Sequence, residues 1–268
     1  MRGVRANSGI EGDSMLRVLA LIMILGYCFF SVSFATANER PLWVATTKPV
    51  HSLVALVAED LGFSEPKLLV KEHHDPHHFA LKPSQARLIE EADRVFYAHH
   101  TIESFIKPDQ TGHYHELFTT DAIESSHGWL NPLYFRDAYR GVSNLVNSNK
   151  KKKNVREKQL YDAIDKWLGK RAFTKGKVIW VDSMALSPLT NFLGLNIKPY
   201  DRKTIAASPT RQCIALTHGK NSRIEKFSSY QNDKIIYLDL IGNDIPAGSS
   251  HYFALMDRLI TEISACLT

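Results

Sequence analysis

The chain has 268 residues, of which 44% are hydrophobic and 23% charged. That balance excludes disordered, collagenous and multi-span membrane classes, and the length supports one large core or two lobes without a metal or disulfide staple. The formal charge of +5 would suit nucleic acid, but the lysine run 150–153 supplies much of it and reads as a solvated segment, so no nucleic-acid partner is expected.

Residues 16–34 combine Arg17, an apolar stretch and a small-x-small end at Ala35, Thr36 and Ala37. This is the make-up of a secretory signal peptide cleaved after Ala37. Met15 directly precedes the segment and is an alternative start, which would make residues 1–14 an upstream extension. The competing reading is an uncleaved anchor, against which Gly26 and Ser31 interrupt the apolar run. Cys28 follows Tyr27, where lipoprotein processing requires a small residue. The mature chain, expected in the periplasm, keeps two cysteines, Cys213 and Cys266. They either pair or remain separate buried thiols; an even count in an exported chain favours a bridge tying the last helix to a strand.

Beyond the leader, apolar strand-like runs alternate with helical patterns. Strands are predicted over 42–46, 67–71 and 94–97, each followed by a helix, over 50–61, 83–91 and 102–106. In the charged stretch 154–170, Leu160, Ile164, Trp167 and Leu168 recur at helical spacing. Strands over 178–181, 214–216 and 235–238 and a closing helix over 251–265 complete the pattern. Such alternation predicts an α/β protein of two lobes, with mainly parallel sheets flanked by helices and joined by a helix. The expected divisions are a signal peptide over 1–37, an N-terminal lobe over 38–149, a connecting helix over 150–172 and a C-terminal lobe over 173–268.

Ligands of open α/β sheets lie beyond the carboxyl ends of the strands, and nine of the 12 histidines fall between residues 73 and 127. Glu72, His73, His74, Asp75, His77 and His78 offer imidazole and carboxylate together, a set suited to zinc or a similar borderline divalent ion. A solvated polar loop is the alternative, because consecutive histidines cannot all face one ion. His127, ahead of Gly128, Trp129 and an Asn131-Pro132 helix start, would alone read as structural. Asp239 ends a buried strand before Gly242 and reads equally as a turn cap or a metal ligand. His51 sits at a helix start beside Thr47 and Ser52 and reads as structural. His99, His100, His113 and His115 read as polar loops at a cleft rim.

Together these segments carry a resemblance. His77-His78-Phe79-Ala80-Leu81-Lys82-Pro83-Ser84 is similar to a His-x-Tyr-x-Leu-x-Pro-Ser ligand motif, His127-Gly128-Trp129-Leu130-Asn131-Pro132 to a His-x-Trp-Leu-x-Pro motif, and Leu238-Asp239-Leu240-Ile241-Gly242 to Leu-Asp-Pro-Leu-Gly. These are motifs of the zinc subgroup of cluster A-I solute-binding proteins of ABC importers, which the chain resembles from about residue 41 to its end. The run 44–54 resembles the family's first strand and helix. Cys213 and Cys266 fall where zinc members have a disulfide. The resemblance implies a zinc ion, with manganese or another divalent ion as alternatives, held between lobes by His77, His127 and Asp239. It also implies permease and ATPase partners of a metal importer, a monomeric binding protein and no enzymatic activity. Glu72, His73 and His74 would then collect metal loosely at the mouth, as His-rich loops do in zinc members.

The departures are specific. The family's third histidine falls in a stretch that here reads Val181-Asp182-Ser183-Met184-Ala185, so Asp182 or Ser183 takes its place, or His99 or His100 supplies the imidazole from the other lobe. Where members often read Glu-Pro-Gln-Phe, this chain has Thr217-His218-Gly219-Lys220. The joining helix looks truncated, and the segment between Leu195 and Cys213 looks too short for a family helix, which makes the C-terminal lobe a reduced one. Two rival readings follow. One is a degenerate member acting as a periplasmic metal buffer or accessory protein. The other is a metallohydrolase using a two-His-one-Asp site with an open water position, which lacks a positioned general base and a motif such as His-Glu-x-x-His.

Overall fold

A computed structural model describes residues 41–71, 76–108, 112–119, 123–146, 155–206, 211–219, 224–226 and 233–268, all within the unit Pro41–Thr268. The expected signal peptide and the Glu72, His73 and His74 segment lie outside the described residues.

Among the described residues, eight short strands build two sheets. In the first, β1 (Trp43–Ala45), β2 (Lys67–Leu68), β3 (Arg94–Tyr97) and β4 (Tyr114–Glu116) take the order β2-β1-β3-β4. In the second, β5 (Val178–Val181), β6 (Asn196–Pro199), β7 (Cys213–Leu216) and β8 (Lys234–Tyr237) take the order β6-β5-β7-β8. Every pairing is parallel. Parallel strands are covered on both faces, which is why their central members read as unbroken apolar runs. Val44, Val95, Phe96, Ile214 and Ala215 are fully buried.

Among the described residues, seven helices accompany the sheets: α1 (Lys48–Leu61), α2 (Pro83–Glu91), α3 (Pro132–Val146), α4 (Val155–Thr174), α5 (Ser187–Leu193), α6 (Arg202–Ala206) and α7 (His251–Cys266). α1 begins after an extended Thr47 with Pro49 in its first turn, where a missing N–H costs nothing. All but one of its 14 residues are buried, so it is a core helix and not a surface one. Lys48 Nζ donates to the carbonyls of Asn243 at 2.7 Å and Ile245 at 2.8 Å. Ser52 Oγ donates to Ser249 O and accepts from Tyr252 N. The first helix is thus bonded to the segment between the last strand and the last helix.

At its other end, α1 supplies the cap of α4. The buried Asp60 carboxylate accepts from the backbone N–H groups of Arg156 at 3.0 Å and Glu157 at 3.1 Å and from the Tyr139 hydroxyl at 2.6 Å. An anion there satisfies orphan donors and complements the helix dipole. Leu160, Ile164 and Trp167 turn inward at the predicted spacing, and Trp167 Nε1 donates to Asp257 of α7 at 2.7 Å. The main apolar cluster spans both sheets, with a smaller separate cluster in each half. The main one takes Trp43 and Phe96 from the first sheet, Ile179 and Ala215 from the second, and Leu53, Phe135 and Tyr252 from the helices between. Among the described residues no helix is long and apolar enough to cross a membrane.

Some local expectations are corrected. Residues 102–106 form consecutive turns, in which Ile102 and Glu103 donate to His99 O and Ile106 donates to Glu103 O. Five residues barely allow a helix to nucleate, and the buried Glu103 carboxylate draws the Ala98 and His99 amides away. β4, α5, β6 and α6 were not predicted. The stretch between Leu195 and Cys213 contains β6 and the five-residue α6. The connecting helix, expected over 150–172, runs over Val155–Thr174 among the described residues.

Cys213 and Cys266 form a disulfide with Cα atoms 5.5 Å apart, joining β7 to the end of α7. The bridge closes a segment with a sequence separation of 53, so loop entropy assigns it about 4 kcal/mol. The Cys213→Ser, Cys266→Ser double variant should lose stability on that order in urea unfolding, and reductant should affect only the parent chain.

His51 yields a prediction about acid. Its Nε2–H donates to Pro66 O at 2.9 Å, while Nδ1 is buried without a partner among the described residues. Burial first, against weaker opposing help from Pro66 and Glu65, holds the imidazole pKa below its ordinary value. A folded pKa below the unfolded value of about 6.5 gives stability that is complete above that value and is lost as pH falls toward the folded pKa. His51→Gln, which keeps a donor toward Pro66, should reduce the fall in the urea midpoint between about pH 7 and 5.

Candidate metal centre

Parallel strands open their carboxyl ends toward one edge, and the loops leaving β7 and β8 there face two turns of the first lobe. A cavity of about 460 Å³ lies between them, lined by His77, His127, Trp129, Ala185, His218 and Asp239 among others. A larger concavity of about 720 Å³ lies along β4 and α3. The smaller one brings more metal-ligating groups together from both halves.

His77 sits in the 3-10 turn Pro76–His78. His127 lies between two helical turns of Ile123–Leu130, at φ −108° and ψ 37°. The two rings are 5.7 Å apart between centroids. His127 Nδ1 is 3.1 Å from Ser126 Oγ, and its ring is 5.1 Å from that of Trp129. Buried Trp129 donates from Nε1 to Leu240 O at 2.9 Å, fastening the His127 turn to the Asp239 loop. Gly128 is required by packing, because a Cβ there would come within 2.6 Å of the Phe118 ring. Pro132 opens α3 immediately behind this turn, and Asn131 Oδ1 accepts from Leu133 N at 3.0 Å.

Asp239 is both a cap and a cleft residue. Oδ1 accepts from the backbone of Ile241 and Gly242, each at 3.0 Å, and Oδ2 accepts from Asn243 N at 2.5 Å. Gly242 adopts φ 72° to close this turn, a conformation that costs an L-residue energy. The same turn presents the Asn243 and Ile245 carbonyls to Lys48.

Asp182 does not line the cavity. Its Oδ1 accepts from Thr217 N at 2.9 Å and Oγ1 at 3.0 Å, and its Oδ2 lies 3.3 Å from His218 N and 3.4 Å from His218 Nδ1. Ser183 Oγ accepts from Ala185 N at 3.2 Å and caps the turn Met184–Leu186. His218, in contrast, lines the cavity and was not counted among the expected ligands. The signal was available: His218 directly follows a buried strand, at the end where ligands of such sheets bind.

A second group lies at the carboxyl ends of β3 and β4. Among the described residues, His99, His100 and Glu116 are the one set of three whose potential ligand atoms all lie within 4.8 Å of one another; no three of the cleft histidines and aspartates approach so closely. Burial lowers the His99 pKa, with Glu116 opposing it, and burial also lowers that of His115, helped by Arg94. Glu103 beneath them is fully buried, and desolvation raises its carboxyl to about 7.

These features define an α/β fold of two lobes built on parallel sheets. Solved structures resemble it over most of their length. The metal-dependent lipoprotein YcdH of Bacillus subtilis superposes with a TM-score of 0.68 at 17% identity, covering 84% of this chain and 99% of that one. The ZnuA-like domain of Streptococcus pneumoniae AdcA, solved with Zn(II), gives 0.67 at 15% identity, with 85% and 99% covered.

In sequence, residues 44–133 match the family model of ZnuA, the periplasmic component A of the zinc-uptake complex. The matched span contains both His77 and His127. The high-affinity zinc uptake system protein ZnuA of Brucella abortus is 38% identical over 94 residues, which are 35% of this chain and 26% of that protein. An uncharacterized protein of Rickettsia prowazekii is 31% identical over 99 residues, 35% of this chain and 31% of that protein. The alignments thus span about a quarter to a third of these curated relatives.

The capping role of Asp239 is separable from any ligand role. Asp239→Ala removes acceptors for three backbone amides and should cost about 2–3 kcal/mol in urea unfolding without metal. Asp239→Asn keeps one acceptor oxygen and should cost less.

Proposed function

We propose that this chain is a ZnuA-type periplasmic binding protein, which captures zinc or a similar divalent ion in the cleft and delivers it, as a monomer, to the permease and ATPase subunits of an ABC importer. The observation that carries this reading is that His77 and His127, on two turns within the ZnuA-matched segment, share one cavity wall. Zinc takes imidazole nitrogen and carboxylate oxygen at about 2.0–2.2 Å in a tetrahedral set. In this reading His77 and His127 come from the first lobe, and Asp239 and His218 from the second. His218 replaces the family's third imidazole from a different strand end. Asp182 then acts through it, as the carboxylate that fixes the ring of a metal-ligating histidine, and Ser183 keeps its turn-capping role. Manganese is disfavoured, because it prefers a harder, more carboxylate-rich set.

The separation of these groups in the open cleft requires a small approach of the β7 and β8 loops on binding. Trp129, next to His127 and bonded to the β8 loop, should report that approach as a change in fluorescence. The deciding experiment is zinc titration of the mature chain against a competing chelator, beside His77→Ala, His127→Ala and His218→Ala. The expected result is one tight ion, weakened about a hundredfold or more in each variant, at least the cost of losing an outer-shell partner. Tight binding indifferent to His77→Ala and His127→Ala would overturn the cleft reading, whereas uniformly weak binding of several ions would favour a metal buffer.

A further inference from the structure

The β3–β4 register sets Tyr97 opposite Glu116, and the chain turns at His99 and His100 just beyond. Glu116 Oε1 consequently meets two imidazoles, His99 Nε2 at 3.4 Å and His100 Nδ1 at 3.0 Å. The two rings stack with centroids 4.3 Å apart. Bonds of about 2.1 Å at tetrahedral angles set ligand atoms about 3.4 Å apart, so both contacts lie close to the spacing of atoms sharing one ion.

The ligand atoms are also oriented. His99 Nδ1 is 2.7 Å from Thr101 Oγ1, an arrangement that turns Nε2 toward Glu116. Glu116 Oε2 accepts from the Tyr97 hydroxyl at 3.0 Å, presenting Oε1 to the rings. Partners of this kind on the far side of an imidazole or carboxylate hold metal ligands in place. The His99 and Glu116 side chains are 10% and 18% exposed, whereas His100 is 62% exposed. The cluster therefore has a firm base and an open side, through which an ion can enter and water can complete its coordination.

We propose that His99, His100 and Glu116 form a second divalent-cation site, for zinc or an ion of similar ligand preference, distinct from the cleft. All three ligands belong to one sheet edge, so binding requires no approach of the two lobes. The site does not depend on the cleft reading, and it exchanges its ion more readily because it has only three protein ligands.

The test is zinc titration of the mature His77→Ala, His127→Ala double variant, repeated with Co(II) to record the ligand-field absorption of the bound ion. One equivalent should remain. Adding His100→Ala or Glu116→Gln should weaken it about tenfold or more and abolish the Co(II) spectrum, with circular dichroism unchanged because His100 is exposed. No remaining ion, or one indifferent to both further changes, would overturn the proposal. The same two substitutions in the otherwise native chain should remove one equivalent whether or not the cleft binds metal, which separates this site from the cleft reading.

Discussion

A buried lysine holds this architecture in register. Lys48 stands at the start of a helix with almost no solvent-facing side, and its ammonium group is directed at two carbonyls nearly 200 residues further along the chain. A charge taken out of water requires such partners, and only the loop after the last strand supplies those two. The positions of the Asp239 turn and the Trp129 anchor are then coupled to α1. Ser52 repeats the connection one turn later, and Asp60 extends it to the long helix between the sheets. The two halves meet through specific polar bonds set within a shared apolar core.

The cleft groups divide into those that build loops and those that can receive an ion. Asp239, Asp182 and Ser183 all accept backbone hydrogen bonds in this structure, so each helps to build the loop it occupies. Carboxylate oxygens have further lone pairs, and capping does not exclude coordination; for Asp239 it means that the ligand would be pre-oriented. His218 differs in kind, because it lines the cavity with an exposed side chain whose Nδ1 lies 3.4 Å from Asp182 Oδ2. A chain without the expected histidine after β5 carries one after β7, across the same pair of neighbouring strands.

The sequence made the buried strands easy to read. β1, β3, β5 and β7 lie in continuous apolar runs, as two-faced burial requires, and α2 and α7 carry clear boundaries. Two of the four edge strands were harder. β4 is Tyr-His-Glu and β6 is Asn-Ile-Lys-Pro, segments whose side chains give no periodic apolar signal because much of their surface stays wet. Residues 102–106 misled for the opposite reason: Ile102 and Ile106 have helical spacing, yet the buried carboxylate between them organises turns. His77 and His127 could be singled out through the surrounding motifs, and His218 by its place after a buried strand, whereas the grouping of His99, His100 and Glu116 depends on strand order, which local sequence does not encode.

The covalent tie between β7 and α7 has a bearing on how the protein is handled. The strand it anchors leads directly into Thr217 and His218, so the oxidation state of the chain reaches the cleft wall through only a few residues. Material produced in a reducing cytosol would carry that strand without its tether, and a test of the proposed cleft site would then read the redox history of the preparation as much as the ligands themselves.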